Sequence, residues 1–353
     1  MLELVNQTPV PAHLHVARVR KFTRSGVLVA KVTFRFEDGK TMLDTQDPHP
    51  ILEDDVETEL GTLPEDLHPP RGPGFEVILH GMAHAPPGQP VPEMSVGLRV
   101  GTTEHRLRVV GDRKWVAGAH GFQATNPAPF AKMPLVWERA FGGRCDVWID
   151  KDAVVEVEHE LNARGKGFDP RPPAEALCAR LRAPAGFPVL DDPLHLPNLE
   201  HPAQPVQTRD DAPRPWCWAT IPQGIGMRNV LAIERLQSRQ PTPPDLDPIE
   251  EIAWRAHPIW RLPLPAAATN ITLRGLTPLG NESFSLPRIR VAADYILGGP
   301  DRSGTLACRP YRLILLPEER RFTLAFCAHF TIDPVCWTDT SMRLRLEEGW
   351  YEA

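Results

Sequence analysis

Proline is the feature of this sequence that most restricts its fold. The chain has 353 residues, of which 40 are proline, about twice the usual share. Because proline removes a backbone donor and its ring clashes inside a helix, the chain cannot consist mainly of long helices. Hydrophobic residues make up 42% and charged residues 24% of the sequence, which is ordinary for a soluble globular protein and excludes disorder as the main state. The sequence therefore predicts strands, turns and long ordered connections.

Alternating apolar and polar residues predict several β-strands. Val27–Phe36 has apolar residues at every even position and is followed by Asp38-Gly39, a pair that favours a tight hairpin turn. Phe322–Ile332 alternates in the same way, and Tyr311–Leu316 just before it predicts the partner strand of a hairpin. The same pattern predicts strands at Phe75–Leu79, Arg106–Val109 and Met342–Leu346. Short helices are predicted at Ala174–Leu181, Asn229–Gln237 and Asp247–Ala256.

These patterns together predict a mainly β fold of antiparallel, β-sandwich-like units with long proline-rich connections and a few short helices. Residues 165–215 contain many prolines and few periodic runs, as in a connection that is functional or wraps over a surface. The prediction divides the chain into an N-terminal β domain (1–160), a proline-rich connector with short helices (161–264) and a C-terminal β region (265–353) that packs on the first domain.

The distribution of charge excludes one class of partner and suggests another. The net charge of −6 argues against a general nucleic-acid binder, which must neutralise phosphates. Residues 37–66 contain 11 acids and a single base, Lys40, for a net charge of −10 (1 − 11). This acidic segment is either a solvated loop or a docking surface for a basic partner. Its candidate residues for partner binding are Glu53, Asp54, Asp55, Glu57 and Glu59.

No catalytic or metal-binding pattern emerges from the sequence. Gly39-Lys40-Thr41 and the Gly224–Asn229 turn lack the glycines of phosphate and dinucleotide loops. His80 and His84 lie in a strand pattern, which would separate their α-carbons by about 13 Å. No G-x-S-x-G motif is present, and Cys217 between two tryptophans is interpreted as a buried, inert thiol. We therefore expect no catalytic residue, no metal site and no cofactor, and a protein that is not an enzyme.

The cysteines and the apolar runs indicate in which cellular compartment the protein is expected. The six cysteines include no C-x-x-C pair, and the start of the chain lacks a basic stretch followed by an apolar one. Uncharged runs such as Leu262–Leu273 are shorter than the ~20 residues of a membrane span. We expect a reduced, soluble, cytoplasmic protein that binds no membrane.

A series of short motifs carries a family resemblance. In order, the motifs are LVNQTP (Leu4–Pro9), VAKVTF (Val29–Phe34), GMAHAP (Gly81–Pro86), GDRKW (Gly111–Trp115), MPLVWERAFGG (Met133–Gly143), NARGKGF (Asn162–Phe168) and LPNLE (Leu196–Glu200). Their order and spacing over about residues 2–200 resemble a bacterial family associated with type VI secretion gene clusters. That family was long catalogued as a domain of unknown function (the DUF2169-type family), and its members are regarded as effector adaptors or chaperones. Beyond Glu200 the resemblance is thinner.

The resemblance implies a function in protein binding. It implies a cytoplasmic adaptor or chaperone that binds a toxin effector, through the effector's N-terminal or spike-tip-like region, and helps to load it onto the spike protein. Such an adaptor needs no cofactor and binds neither nucleic acid nor membrane. Two alternatives stay open at this point: a hydrolase-type enzyme with a spatially assembled site, and a structural protein that stays with the spike.

The motif residues themselves fall into two groups. A structural role is predicted for Trp115, Trp137, Glu138, Arg139, Phe141, Gly142 and Gly143. The aromatic residues would anchor a core, Glu138 and Arg139 would form a local ion pair, and the two glycines would form a turn that needs positive φ. A partner-binding role is proposed for Leu196, Pro197, Asn198, Leu199 and Glu200, because an exposed proline-rich loop can dock a partner without strain on a sheet.

Overall fold

The computed structural model describes residues 2–20, 23–118, 121–148, 154–170, 195–222, 253–297, 303–332 and 340–349. Strands account for 52% of the structure and helical turns for 4%, and no helix of seven or more residues occurs in the described ranges. The predicted mainly β, antiparallel fold is therefore confirmed. The predicted helices at 174–181 and 229–237, and most of the one at 247–256, lie outside the described residues. Within those same ranges, no helix has the length and apolar character needed to cross a membrane.

The larger of the two main sheets has ten strands and is nearly closed. Its strands are β1 (Glu3–Val5), β2 (Ala12–Arg20), β3 (Thr23–Glu37), β4 (Lys40–Leu43), β7 (Phe75–Leu79), β19 (Arg261–Leu262), β22 (Ile289–Leu297), β23 (Ser303–Leu316), β24 (Arg321–Ile332) and β25 (Thr340–Glu348). The main path runs in the order β1, β25, β22, β23, β24, β3, β2. Strand β4 pairs with β3, and β7 pairs with both β23 and β19. All pairs are antiparallel except β1–β25 and β7–β23.

The second sheet and five short strand pairs complete the described fold. The second sheet contains β9 (Glu93–Val100), β10 (Thr103–Val110), β18 (Leu199–Glu200), β20 (Asn270–Arg274) and β21 (Asn281–Ser285), in the order β18, β10, β9, β20, β21. The two-stranded pairs are β5 (Val56–Thr58) with β6 (Gly61–Leu63), β8 (Met82–His84) with β13 (Lys132–Pro134), β11 (Trp115–Gly118) with β12 (Gly121–Ala124), β14 (Phe141–Gly142) with β17 (Lys166–Gly167), and β15 (Arg144–Trp148) with β16 (Val154–Glu158). Single 3-10 turns occur at Trp137–Arg139, Pro258–Trp260 and Pro317–Glu319.

Both predicted hairpins form, and the turn residues explain why. Strand β3 turns into β4 through Asp38 and Gly39, whose φ angles are 47° and 77°, the left-handed pair that a tight hairpin turn needs. Strand β23 turns into β24 through the 3-10 turn Pro317–Glu319 and Arg320, which has φ 53°. Stacked phenylalanines then join the two sheets: the ring of Phe284 in β21 lies 5.1 Å from that of Phe322 in β24.

The opposite face of the large sheet is also buried, which a half-buried strand pattern did not predict. The polar residues Lys31 and Thr33 of β3 are buried, because the acidic segment packs over them. The backbone N–H of His49 donates to Thr33 Oγ1 at 2.8 Å, and Lys31 forms an ion pair with buried Asp66. Buried Asp44 lies 2.7 Å from Arg35. Part of the acidic segment is thus neutralised by bases of the sheet that it covers.

The predicted division at residues 160 and 264 does not separate the sheets. In the large sheet β3 pairs with β24, and β7 pairs with β23. In the second sheet β9 pairs with β20. Because strands from both ends of the chain pair with one another in each sheet, the two expected β regions are continuous.

Candidate functional site

Four of the sequence motifs meet in space and form one interlocked unit. Strand β14 of the motif at 133–143 pairs with β17 of the motif at 162–168, through Phe141 opposite Lys166. Single backbone bridges join Ala140 to Leu199 and Lys114 to His195. Segments that are far apart in the sequence therefore share backbone hydrogen bonds, and we call the region that they build the motif unit.

Two glycines allow the closest approach within the motif unit. Gly142 has φ 139° and Gly143 has φ 117°, values that disfavour any residue with a Cβ atom. A Cβ on Gly142 would lie 2.1 Å from the carbonyl oxygen of Asn162, and one on Gly143 would lie 2.6 Å from that of Gly165. The buried amide of Asn162 donates to the carbonyls of Trp137 and Phe141 at 2.9 and 3.0 Å. Only a bare backbone fits between these two motifs.

Replacing Gly142 with alanine should therefore destabilise the protein by about 3 kcal/mol or more, since positive-φ strain and a clash with backbone add together. Urea unfolding of the purified variant measures this loss. Gly88→Ala is the control, because Gly88 also has a positive φ, 71°, but nothing within 4 Å of its Cβ position; it should cost about 1 kcal/mol. Equal losses in the two variants would mean that the close approach to Asn162 is unimportant.

The segment Leu196–Glu200 is not the exposed loop that was expected. All five residues are buried, and Leu199 and Glu200 form strand β18. The Asn198 amide donates to the carbonyl of Val110 at 2.8 Å and to Asp112 at 3.0 Å, and its oxygen accepts from Arg139. Glu200 lies 2.6 Å from Arg108 and pairs with buried Arg113. The segment is part of the interior of the motif unit, where its polar groups form hydrogen bonds and ion pairs with protein groups instead of with water.

The remaining motif residues divide between the core and the surface. Trp115, Phe141 and Leu196 share a small core with Val206. The buried Trp137 donates its indole N–H to the Ala219 carbonyl at 3.3 Å. Glu138 and Arg139 do not form the expected local ion pair, since in a 3-10 turn successive side chains point in different directions. Glu138 instead lies 3.6 Å from Arg164, and Arg139 lies 3.5 Å from Asp112.

An open groove of about 620 Å³ lies between the motif unit and the β5–β6 hairpin. Three motifs contribute to its lining, with Asp112 from the first, Pro134, Val136, Glu138 and Arg139 from the second and Lys166 from the third. The hairpin contributes the wall opposite, which includes Glu57 and Glu59. The lining of this motif groove consists of Glu57, Thr58, Glu59, Gly61, Asp112, Pro134, Val136, Glu138, Arg139, Lys166 and His195. The groove is therefore lined both by Glu57 and Glu59 of the acidic segment and by His195, which immediately precedes the LPNLE motif. The sequence analysis treated these two regions separately.

Three charged residues of the groove lining pair with one another. One oxygen of Asp112 lies 3.4 Å from Lys166 Nζ and 3.5 Å from an Arg139 nitrogen. Burial opposes ionisation of Asp112, but the hydrogen bond from Asn198 and the charge of Lys166 outweigh it and lower the pKa of this carboxyl. Burial also lowers the pKa of Lys166, although Asp112 opposes the effect. Asp112 thus lies between two cations, and the cluster of Asp112, Arg139 and Lys166 has a formal net charge of +1 (2 − 1).

The acidic candidates from the sequence separate into three environments. Glu57 and Glu59 lie on the groove wall, where Glu57 pairs with Arg164 at 3.0 Å. Asp55 pairs with buried Arg255 and accepts the backbone N–H of Glu65. Glu53 and Asp54 are exposed and do not line the groove. The structure thus brings only two of these five acids to the motif groove.

The other candidate residues have structural partners. His84 lies 2.5 Å from Glu318 and His80 lies 3.1 Å from Thr58, so the two histidines face different groups. Burial raises the pKa of Cys217 to about 12, which leaves its thiol protonated at neutral pH. Within the described ranges, no three His, Cys, Asp or Glu side chains are grouped so that they could hold a metal ion.

Asp112 and Lys166 are the groove residues that sequence reasoning missed. Both stand inside quoted motifs, GDRKW and NARGKGF, but 54 positions separate them. A single sequence offers no signal for such a pair beyond the presence of opposite charges in two motifs, which a third motif separates.

The described structure is that of a mainly β protein in which three of the short motifs line one charged groove. The chain matches the family described as "Uncharacterized protein conserved in bacteria (DUF2169)" over residues 22–326, and it belongs to this family. The match continues beyond residue 200, where the motif resemblance was thinner, into strand β24. No curated protein and no solved structure matches the chain.

Proposed function

We propose that this protein is a cytoplasmic adaptor or chaperone that binds a toxin effector of a type VI secretion system and helps to load it onto the spike complex. Membership of the family supports the proposal, because the motifs that carry the membership resemble those of effector adaptors. The observation that carries it furthest is that three of these motifs line one open groove. A groove of this kind suits a segment of a protein partner.

The lining of the groove supports binding of a polypeptide on physical grounds. Pro134 and Val136 offer apolar surface, and the paired charges of Asp112, Arg139 and Lys166 offer fixed hydrogen-bond donors and acceptors. Burial of apolar surface supplies most of the affinity at such an interface. Exposed charges on the rim, such as Glu59, steer the encounter and select the partner.

Deleting the gene should lower the soluble level or the export of one effector, while other effectors leave the cell normally. Secretion measured effector by effector in the deletion strain tests this, together with co-purification of the affected effector with the adaptor. Normal solubility and export of every effector would contradict the proposal. Turnover of a substrate by the purified protein would favour the hydrolase alternative, and recovery of the chain with secreted spikes would favour the structural one.

A matched pair of variants tests the role of the groove in that complex. Glu59→Gln removes an exposed charge from the groove wall, and Glu53→Gln removes an exposed charge from the same segment outside the groove. We expect Glu59→Gln alone to slow association, by up to about fivefold, which corresponds to about 1 kcal/mol. Its association should also depend less on salt. Stopped-flow mixing with the purified effector measures both quantities, and equal effects of the two variants would exclude the groove.

A further inference from the structure

Strand β2 is the last strand of the ten-stranded sheet, and no other strand of the described residues pairs with its outer edge. It pairs with β3 on one side, with Ala12 opposite Ala30 and Val16 opposite Gly26. The hydrogen bond from the Lys31 N–H to the Pro11 carbonyl, 3.0 Å long, fixes which residues bond inwards. Since bonded pairs alternate along an antiparallel ladder, His13 and His15 also bond to β3. The N–H and C=O groups of Ala12, Leu14 and Val16 therefore point away from the sheet.

The start of this edge is capped, and the rest is not. The outward carbonyl of Val10 accepts a hydrogen bond from the Asn6 side chain at 2.7 Å. The backbone N–H of Val10 donates to Thr8 Oγ1 at 3.3 Å. From Ala12 onwards the outward backbone groups have no partner in the part of the chain that the structure describes. Ala12, Leu14 and Val16 are only half-buried. Such a row of unpaired groups is a template for another strand.

The charge of the surrounding chain indicates which kind of segment could pair with the edge of β2. The 33 residues from Leu4 to Phe36 contain no acid. In this stretch the sequence places bases at Arg18 and Arg20 of β2 and at Arg24 of β3. Two such edges repel each other, so a second copy of this chain is disfavoured. An extended segment with acidic side chains has the complementary charge.

We propose that the edge of β2 receives an extended, acidic segment of a partner protein, which joins the sheet as an additional strand. Main-chain hydrogen bonds to Ala12, Leu14 and Val16 supply affinity that does not depend on the partner's sequence, and the basic residues select for acid. None of these β2 residues lines the motif groove. The inference is therefore independent of the proposed adaptor function.

Amide hydrogen exchange, read residue by residue with a defined probe, tests the open edge. The probe is a ten-residue peptide that alternates glutamate and valine, blocked at both ends, and the control peptide has lysine in place of glutamate. In the free protein, the amides of Ala12, Leu14 and Val16 should exchange at least tenfold faster than those of His13 and His15. Millimolar acidic peptide should slow the three outward amides, and added salt should reverse that protection.

A pair of proline variants separates binding from folding. Ala12→Pro removes an outward N–H, a position that proline tolerates on an edge strand, and should weaken binding of the acidic peptide by roughly fivefold to tenfold. His13→Pro removes an inward N–H that bonds to β3, and should lower the midpoint of thermal unfolding instead. The proposal is overturned if the outward amides are already protected in the free protein. It is equally overturned if the lysine peptide protects them as well as the glutamate peptide, or if Ala12→Pro leaves peptide binding unchanged.

Discussion

Replacing Glu76 with alanine should destabilise the protein by about 3–5 kcal/mol, because it removes the nearest carboxylate from the buried Arg312 guanidinium and leaves the more distant Asp66, at 3.8 Å, which also pairs with Lys31. Glu76 is fully buried in β7 and accepts from Arg312 Nε at 2.6 Å. It also accepts the backbone N–H groups of Arg255 and Ala256 at 2.7 and 2.9 Å. Burial disfavours the charged form of Arg312, but the charge of Glu76 outweighs it and keeps the pKa of Arg312 above its usual value. The variant would lose both the ion pair and two backbone contacts.

Urea unfolding of Glu76→Ala, beside two comparison variants, measures the contribution of this pair. Glu76→Gln keeps an oxygen that can accept hydrogen bonds, so we expect a smaller loss than for alanine. Asp294→Ala breaks an exposed pair, Asp294 with Arg345 at 2.9 Å, and should cost about 1 kcal/mol or less. A loss below about 1 kcal/mol for Glu76→Ala would mean that Arg312 finds another partner or that water enters.

The sequence predicted the strands well because alternation is a local signal. The pattern in Val27–Phe36 and in Phe322–Ile332 depends only on neighbouring residues, and β3 and β24 extend over both ranges. The same signal failed on the other face of β3, where Lys31 is buried. A lysine in a strand indicates a solvent-facing side chain unless a partner is known. That partner, Asp66, belongs to a segment whose acidity suggested full exposure.

The candidate site was harder to predict because its contacts span long sequence separations. Glu200 meets Arg108 across 92 positions and Arg113 across 87, so the acid of a segment that was expected to be an exposed proline-rich loop is neutralised in the interior. The pairing of Glu76 with Arg312 spans 236 positions. The same long-range pairing mixes strands from both ends of the chain in one sheet, which composition along the chain cannot reveal.

Acid should unfold this protein steeply from about pH 6.5 downwards, because two histidines are buried in the neutral form. Burial lowers the pKa of His80 to about 4 and that of His257 to about 3, whereas both titrate near ~6.5 in the unfolded chain. Between pH 6.5 and about 4 these two histidines therefore bind up to two more protons in the unfolded state than in the folded state. This pair alone should then lower the free energy of unfolding by up to about 3 kcal/mol per pH unit.

Denaturant unfolding at pH 7, 6, 5 and 4.5 measures that slope, and one substitution identifies its source. His257 accepts the backbone N–H of Ile259 through Nδ1, and the side-chain oxygen of asparagine can make the same contact without titrating. His257→Asn should therefore reduce the slope by about one proton, or about 1.4 kcal/mol per pH unit, whatever its effect on stability at pH 7.

His329, whose pKa burial lowers to about 4, adds to the slope in the same direction. The carboxyls of Asp112 and Glu319 also have lowered pKa values, but they take up protons in the unfolded chain only near pH ~4 and below. A free energy of unfolding that stays constant from pH 6.5 to 4.5 would therefore mean that His80 and His257 are protonated in the folded protein.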